Sequence, residues 1–371
     1  MSETRRVGFD VTPVISGATG IARYVTQVEA SLRPLDVEVR AFAVGRSAFA
    51  VPPGTRHVRI PARLLVAWWG LGGRPYIEGL TGPVDLVHAT GLLLPSTRRP
   101  LVLTVHDLAA LRHAHLLPER HVRQQRAVIR RLPSAAAVVA VSKATAQDIV
   151  DLGVDAGRVV VAPLGVSRLP EPIPLPQTLR PLGQYLLTVG ETAPRKDYPV
   201  LIRALARVRR DLELVMVGPP GRDEEPLRRL AIELGVDDRL RRLGAVSDGE
   251  LAGLYRGALA LCFPSVAEGF GLPVLEAMAE GTPALVSDLP VMREVAGPAA
   301  VYVEPAGVPE WAEAIETIAS ATTAREQLSE AGRRRASEFT WERTASATLD
   351  AYELALASGS PAGARRSVRG G

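Results

Sequence analysis

The sequence predicts an α/β chain of two parallel-sheet, Rossmann-like domains that face a central cleft. Three observations carry this. Short apolar runs alternate with longer helical patterns along most of the 371 residues. The runs are almost continuously hydrophobic, as strands covered on both faces of a parallel sheet must be. One proline-rich stretch, LPEPIPLPQTLRP, breaks the rhythm near the middle. The length also suits two cores of about 150–200 residues each better than one.

In the first half, buried strands are expected at 7–11, 86–88, 101–105 and 136–141. In the second half they are expected at 185–189, 214–217, 258–263 and 284–287. Helices at 20–32, 119–132 and 198–209 lie between them. The prolines block helix and central strand alike, so 168–182 reads as an extended linker. It separates a first domain, 1–167, from a second, 183–340. Beyond it lie 341–357 and a Gly/Ser/Ala/Arg tail, 358–371, which reads as disordered. Ligands of such sheets bind beyond the carboxyl ends of the strands, so the cleft is where chemistry is sought.

Composition narrows the class. The charged fraction of 23% is that of an ordinary soluble protein. A net charge of +4 permits an anionic ligand or an anionic membrane surface and selects neither. Cys262 is the one cysteine, which allows no internal disulfide and no cysteine metal cluster, and a reducing cytoplasm is expected. The N-terminus has no apolar stretch resembling a signal peptide, and the longest apolar run, 64–73, is too short to span a bilayer.

The densest motif is CFPSVAEGFGLPVLEAMAEGTP, which starts at Cys262. Pro273 suits a first helical position, and the helix is expected to stop near Gly281, with Pro283 beyond. Glu276 then falls in the first helical turn. Gly269 and Gly271 leave backbone N–H groups uncovered beside it, a cradle for an anion or hydroxyls. Glu276 and Glu268 would accept from vicinal hydroxyls of a ribose or a sugar. Alone, the same pattern also fits a carboxylate stabilised by the helix dipole beside a glycine turn. After the strand at 185–189 comes GETAPRKD, in which Arg195 and Lys196 offer a guanidinium fork and a point charge for phosphate. Alone, that pair also fits a solvated basic turn.

Together these residues resemble the retaining nucleotide-sugar glycosyltransferases of the GT-B type, family four. Glu268 and Glu276 match the E-x7-E signature of that family, and Pro194, Arg195 and Lys196 match its P-R-K loop. GAVSDGELAGLY, from Gly244, is similar to its base-binding loop and following helix, with Val246 in the loop. LPVMREVAGPAAVYVEP is similar to the family's segment after the signature, and WERTASATLDAYELAL to a last helix that crosses back to the first domain. The resemblance implies that Arg195 and Lys196 neutralise the donor diphosphate and that Glu276 binds the nucleotide ribose. It implies that Glu268 and the N–H groups of Gly269, Phe270, Gly271 and Leu272 hold the sugar and nearby phosphate. It implies front-face transfer, in which a leaving phosphate oxygen helps to take the acceptor proton. One departure stands out: many relatives carry Arg where this chain has Glu191, and Arg195 then supplies that cation.

In the first half, TVHDL places His106 at the carboxyl end of a strand, beside Asp107. A histidine there can shuttle a proton, contact a sugar or merely cap the loop. The family has a similar stretch with its histidine near the transferred sugar. SGATGIARYV places Gly17 and Gly20 between the first strand and first helix, where a phosphate contact is expected, though a plain turn also fits. It lacks the G-x-G-x-x-G fingerprint, which counts against a Rossmann oxidoreductase. Its TGIARYV resembles a segment of mannosyltransferase-like members, making GDP-mannose the first donor candidate and a UDP-sugar the second. Ser142 reads as a helix N-cap.

No D-x-D occurs, so no metal and no cofactor is expected; side-chain cations take that place. The acceptor is expected to be a glycan, a lipid-linked saccharide or a small molecule, in cell-envelope or polysaccharide synthesis. No nucleic acid is expected. Arg120, Arg123, Arg126, Arg130 and Arg131 share one helix, and LLVAWWGLGG adds Trp68 and Trp69. That pattern fits peripheral contact with the inner face of a membrane, or a solvated arginine face with packed tryptophans. A non-catalytic subunit that binds nucleotide sugars is the remaining alternative.

Overall fold

A computed structural model describes residues 4–17, 19–47, 49–60, 64–65, 68–69, 74–174 and 183–358. The chain divides into two compact units. The first holds Met1–Ala110, Glu119–Gly165 and Thr340–Gly371; the second holds Leu111–Pro118 and Val166–Phe339.

The first unit carries a seven-stranded sheet in the order β3-β2-β1-β4-β5-β6-β7. Its strands are β1 (Arg5–Asp10), β2 (Val37–Val44), β3 (Arg56–Val58), β4 (Leu86–Ala89), β5 (Leu101–Val105), β6 (Ala137–Ala140) and β7 (Val159–Val161). Every pairing is parallel, so all seven carboxyl ends lie along one edge. One face of the sheet is filled by Phe42, Val87, Leu103 and Val138, under Leu65, Trp69, Val128 and Leu132. On this unit the Thr19–Leu32 helix packs against the Trp341–Ala357 helix. That last helix therefore crosses back to the first domain, as the resemblance implies. It is capped by Thr340, whose Oγ1 accepts the Arg343 N–H, and Thr344 donates to the Pro163 carbonyl at 2.6 Å.

The second unit carries six parallel strands in the order β10-β9-β8-β11-β12-β13. They are β8 (Tyr185–Val189), β9 (Glu213–Val217), β10 (Leu240–Gly244), β11 (Ala260–Phe263), β12 (Ala284–Ser287) and β13 (Ala300–Val303). Leu186, Leu214, Met216 and Cys262 form one core with Leu201, Leu205 and Trp311.

The eight expected strands all form, within two residues of their expected bounds. Five more form that the apolar pattern does not announce: β2, β3, β7, β10 and β13. Four of these are sheet edges whose residues are mostly partly exposed; β7 (VVV) and β13 (AVYV) are apolar but short, while β3 and β10 carry charged residues. The helix expected at 198–209 stops at Leu205. Residues 168–174 of the expected linker form neither helix nor strand; 175–182 and the expected disordered tail from 359 onward lie outside the described residues. Among the described residues no helix is long and apolar enough to cross a membrane.

Candidate active site

The Leu272–Glu280 helix begins where β11 has ended and the chain has bent through Gly269 and Gly271. Gly271 is its N-cap at φ 98°, a left-handed conformation that glycine adopts without strain. The expected helix start is thereby corrected. Leu272 is the first helical residue, Pro273 the second, and Glu276 the fifth. Glu276 therefore opens the second turn. It is buried, and the Tyr255 hydroxyl donates to its Oε2 at 3.1 Å. Tyr255 comes from the Asp248–Gly257 helix, which Ser247 and Glu250 start with a reciprocal capping box. Val246 sits half-buried just before that cap. The Phe270 side chain is buried edge-on against Phe339, so its ring serves packing and only its backbone can serve a ligand.

Glu268 lies in the segment after β11, and the 3-10 turn Pro194–Lys196 brings two cations to it. Lys196 Nζ donates to Glu268 Oε1 at 2.6 Å, and an Arg195 guanidinium N–H donates to the same oxygen at 2.9 Å. The Val266 N–H bonds the Arg195 carbonyl at 2.9 Å, which ties the two loops by backbone as well. Lys196 is buried with its ammonium 4.4 Å from the centre of the Phe263 ring. Burial pushes Lys196 down to about 8, with Arg195 acting in the same direction and Glu268 against it. Burial pushes the Glu268 carboxyl up, but Lys196 and Arg195 more than offset this and hold it at about 2. At neutral pH the cluster is thus one carboxylate between two cations. Glu191, the departure from the family pattern, is exposed near Lys196 and favours its charge.

Space for this cluster is set by backbone. A Cβ on Gly218 would come 2.2 Å from the Gly190 carbonyl oxygen, so the ends of β8 and β9 touch only because Gly218 has no side chain. The two following loops are clamped by residues that the sequence does not single out. Arg242 grips Glu224 through two N–H groups at 2.8 Å, Thr192 donates to Glu224 at 2.8 Å, and the Gly221 N–H donates to Thr192 at 2.6 Å.

In the first unit, His106 follows β5. Its Nε2 lies 2.8 Å from the Thr90 carbonyl, which can only accept, so Nε2 carries the proton. Burial lowers its pKa from 6.5, which keeps the ring neutral and leaves Nδ1 as an acceptor. Asp107 does not bond this ring; it accepts from the Gln125 amide at 2.5 Å and from the Ala109 N–H at 3.0 Å. Tyr24 packs edge-on to His106, with ring centres 4.9 Å apart. Beneath lies a neutral network: Tyr24 to Thr104 at 2.9 Å, Thr104 to His88 at 2.7 Å, and His88 to Tyr352 of the last helix at 2.8 Å. Burial holds His88 down at about 3. Asp10, at the end of β1, is buried with Oδ2 unpartnered, and burial raises it to about 6. Gly17 closes a short Thr12–Ser16 helix that the sequence does not suggest, and Gly20 is the second residue of the Thr19–Leu32 helix. Ser142 caps its helix as expected, accepting the Thr145 N–H at 3.0 Å.

So Arg195, Lys196 and Glu268 meet directly. Glu276 reaches Tyr255 instead. His106, Gly17 and Gly20 belong to the first unit.

Two family profiles match the chain. Glycosyl transferases group 1 covers residues 177–335, and Glycosyltransferase Family 4 covers 18–168. The chain is 34% identical over 310 residues to the MMP alpha-(1->4)-mannosyltransferase of Mycolicibacterium hassiacum, covering 76% of this chain and 73% of that protein. It is 30% identical over 411 aligned positions to the D-inositol 3-phosphate glycosyltransferase of Salinispora arenicola, covering 94% of this chain and 90% of that protein. Among solved structures, the sucrose-phosphate synthase from Thermosynechococcus elongatus shares the fold: TM-score 0.76 at 21% identity, over 96% of this chain and 100% of that one.

Proposed function

This chain belongs to the group 1, family four glycosyltransferases, and from that premise we propose that it moves a hexose from a nucleoside-diphosphate sugar with retention. Mannose from GDP-mannose is the first candidate, because one of the relatives is a mannosyltransferase and TGIARYV resembles that subgroup. The acceptor is a glycan, a lipid-linked saccharide or a small molecule.

The observation that carries the reading is the Arg195–Glu268–Lys196 cluster before the Leu272–Glu280 helix. Two cations held by one carboxylate, Lys196 buried and Arg195 partly exposed, are preorganised for a diphosphate, whose charge grows as the nucleotide leaves. The first-turn N–H groups of the helix, with those of Gly269, Phe270 and Gly271, add donors to the phosphate and sugar. Glu276, oriented by Tyr255, accepts from the ribose hydroxyls. Val246 lines the base. His106 and the loop of Gly17 and Gly20 are the first unit's candidates for sugar and donor contact; Nδ1 of His106 can accept from a hydroxyl. In the step itself, the bond from the anomeric carbon to the phosphate oxygen breaks. The acceptor oxygen bonds that carbon on the same face, and its proton passes to the departing phosphate. No side chain need be a nucleophile, and no metal is needed where two cations already face the diphosphate.

A thermal-shift panel of GDP-, UDP- and ADP-sugars tests the donor, because a ligand bound to the native state raises its melting temperature. The largest rise is expected with GDP-mannose, and Glu276→Ala should remove it. Donor affinity unchanged by both Glu276→Ala and Lys196→Ala sinks the site. Activity lost to a chelator and restored by magnesium sinks the metal-free step.

A further inference from the structure

One flank of the first unit carries an apolar ridge. Ile60, Leu64 and Trp68 stand four residues apart and are 44%, 56% and 58% exposed. Leu64, Leu65, Trp68 and Trp69 are helical. Leu65 and Trp69 point the other way, into the core cluster on one face of the sheet. Leu65 and Trp69 thus face the core while Leu64 and Trp68 face water. The other three tryptophans of the chain, Trp69, Trp311 and Trp341, are 6%, 0% and 5% exposed, so Trp68 is the exception. A large aromatic left beside an exposed leucine marks a surface meant to be covered.

The charge around the ridge says by what. The Glu119–Arg131 helix seats Val128 in the same core cluster, so its outer face looks out from the same flank as the ridge. Arg120, Arg123, Arg126, Arg130 and Arg131 are all exposed on it. A hollow of about 480 Å³ is lined by Arg74, Tyr76, Arg98 and Arg99. The Trp69 indole N–H donates to the Pro75 carbonyl at 2.8 Å, which ties the hollow to the ridge. Tyr76 has the Arg98 guanidinium 4.6 Å and the Arg74 guanidinium 5.9 Å from its ring centre. The nearby carboxylates are engaged. Glu78 accepts from the Thr97 hydroxyl and the Arg98 and Arg99 N–H groups, and Glu119 lies 4.0 Å from Arg123.

We propose that this flank docks on an anionic lipid bilayer, with Leu64 and Trp68 in the interfacial layer and the arginines over the lipid phosphates. Tryptophan and leucine bury apolar area at the headgroup boundary while guanidinium groups reach outward to phosphate. A second copy of the chain fits poorly there, because it would set arginine against arginine. Docking is independent of the donor site and is measured with no nucleotide sugar present.

The full chain is mixed with vesicles of phosphatidylcholine alone, and with vesicles of phosphatidylcholine and phosphatidylglycerol in equal parts. Co-sedimentation is expected with the anionic vesicles only, with tryptophan emission moving to shorter wavelength as Trp68 leaves water. Leu64→Ser with Trp68→Ser removes the emission shift and weakens binding about tenfold or more; Arg123→Glu with Arg126→Glu weakens it by a similar factor. These side chains are exposed, so an unchanged melting temperature verifies that each variant is folded. Absence of binding to anionic vesicles overturns the proposal. So does equal binding to both vesicle types, or full binding by the Leu64→Ser, Trp68→Ser chain. A solution dimer that those serines dissolve, without vesicle binding, also overturns it and makes the ridge a contact between copies.

Discussion

Two buried carboxylates sit at strand carboxyl ends, one in each unit, and their chemistry is opposite. Glu268 in the second unit is held at about 2; Asp10 in the first is raised to about 6. Burial acts upward on both. The difference is that Glu268 has Lys196 and Arg195 on one oxygen, whereas Asp10 has hydrogen bonds from Thr12 and no cation. The neighbourhoods follow suit. Around Glu268 the polar groups are ionic; around His106 and His88 they are hydroxyls, carbonyls and neutral imidazoles. A buried charge persists only where a partner compensates its desolvation. The second unit has therefore stored cations against a carboxylate, a state ready for an anionic ligand. The first holds neutral imidazoles and hydroxyls around His106 and His88 and no cation beside Asp10, which suits uncharged hydroxyls.

The largest test of this contrast removes a stored cation. Lys196→Ala is expected to lower the transfer rate about 10²–10³-fold, the loss typical of one electrostatic contact to a developing anion. Steady-state kinetics with the preferred donor measures it; a loss under threefold would show that Lys196 does not face the reacting charge.

Substituting the two carboxylates should give stability changes of opposite sign. Glu268→Gln takes the carboxylate away from the buried Lys196 ammonium and should cost about 3–5 kcal/mol. Asp10→Asn should stabilise at pH 7 by about 1–3 kcal/mol, since about two pKa units of penalty are relieved. The sign for Asp10 comes from its raised pKa: its contribution is fully present below pH 3.8 and is lost as pH rises through about 6. Urea melts at pH 5 and pH 7 separate the cases. Equal destabilisation by both substitutions would break the comparison.

Lys196 also sets a pH limb. Its charge is lost as pH rises through about 8, so donor affinity should fall above that pH by up to about tenfold per unit. Lys196→Arg keeps its charge throughout and should abolish the limb. Glu268→Gln removes the group that favours the charged lysine, so it should move the limb to lower pH. Calorimetric titration of the donor at several pH values reads all three.

How far the sequence reveals this contrast depends on the kind of feature. Strands buried on both faces, such as β5, β8 and β12, stand out as apolar runs and can be placed almost to the residue. Of the edge strands, β3 and β10 carry charged residues and lose that signal, while β7 and β13 are apolar runs of only three and four residues. β2 hides for a related reason, because Glu38 and Arg40 interrupt it. Glu268, Arg195 and Lys196 are visible because chemistry-bearing residue types gather at strand ends. Glu276 reads one position too early in its helix, because only the structure shows Gly271 as the cap. The partners that give the sites their character are invisible. His88 meets Tyr352 across 264 residues of sequence, and no local pattern announces such a pairing.

The smallest expected effect sharpens the neutral side. His106→Phe keeps a ring against Tyr24 but removes both nitrogens, leaving the Thr90 carbonyl without its donor. A neutral hydrogen bond contributes about 0.5–1.5 kcal/mol, so transfer should slow about three- to tenfold. Donor affinity should stay within twofold, because the cations proposed to hold the diphosphate, Arg195 and Lys196, belong to the second unit. The loss should also vary little from pH 7.5 upward, since burial lowers the histidine from 6.5 and favours its neutral form. A bell-shaped profile in the parent that His106→Phe flattens would instead make His106 a titrating acid or base. Its surroundings would then be less neutral than the Thr90 bond implies.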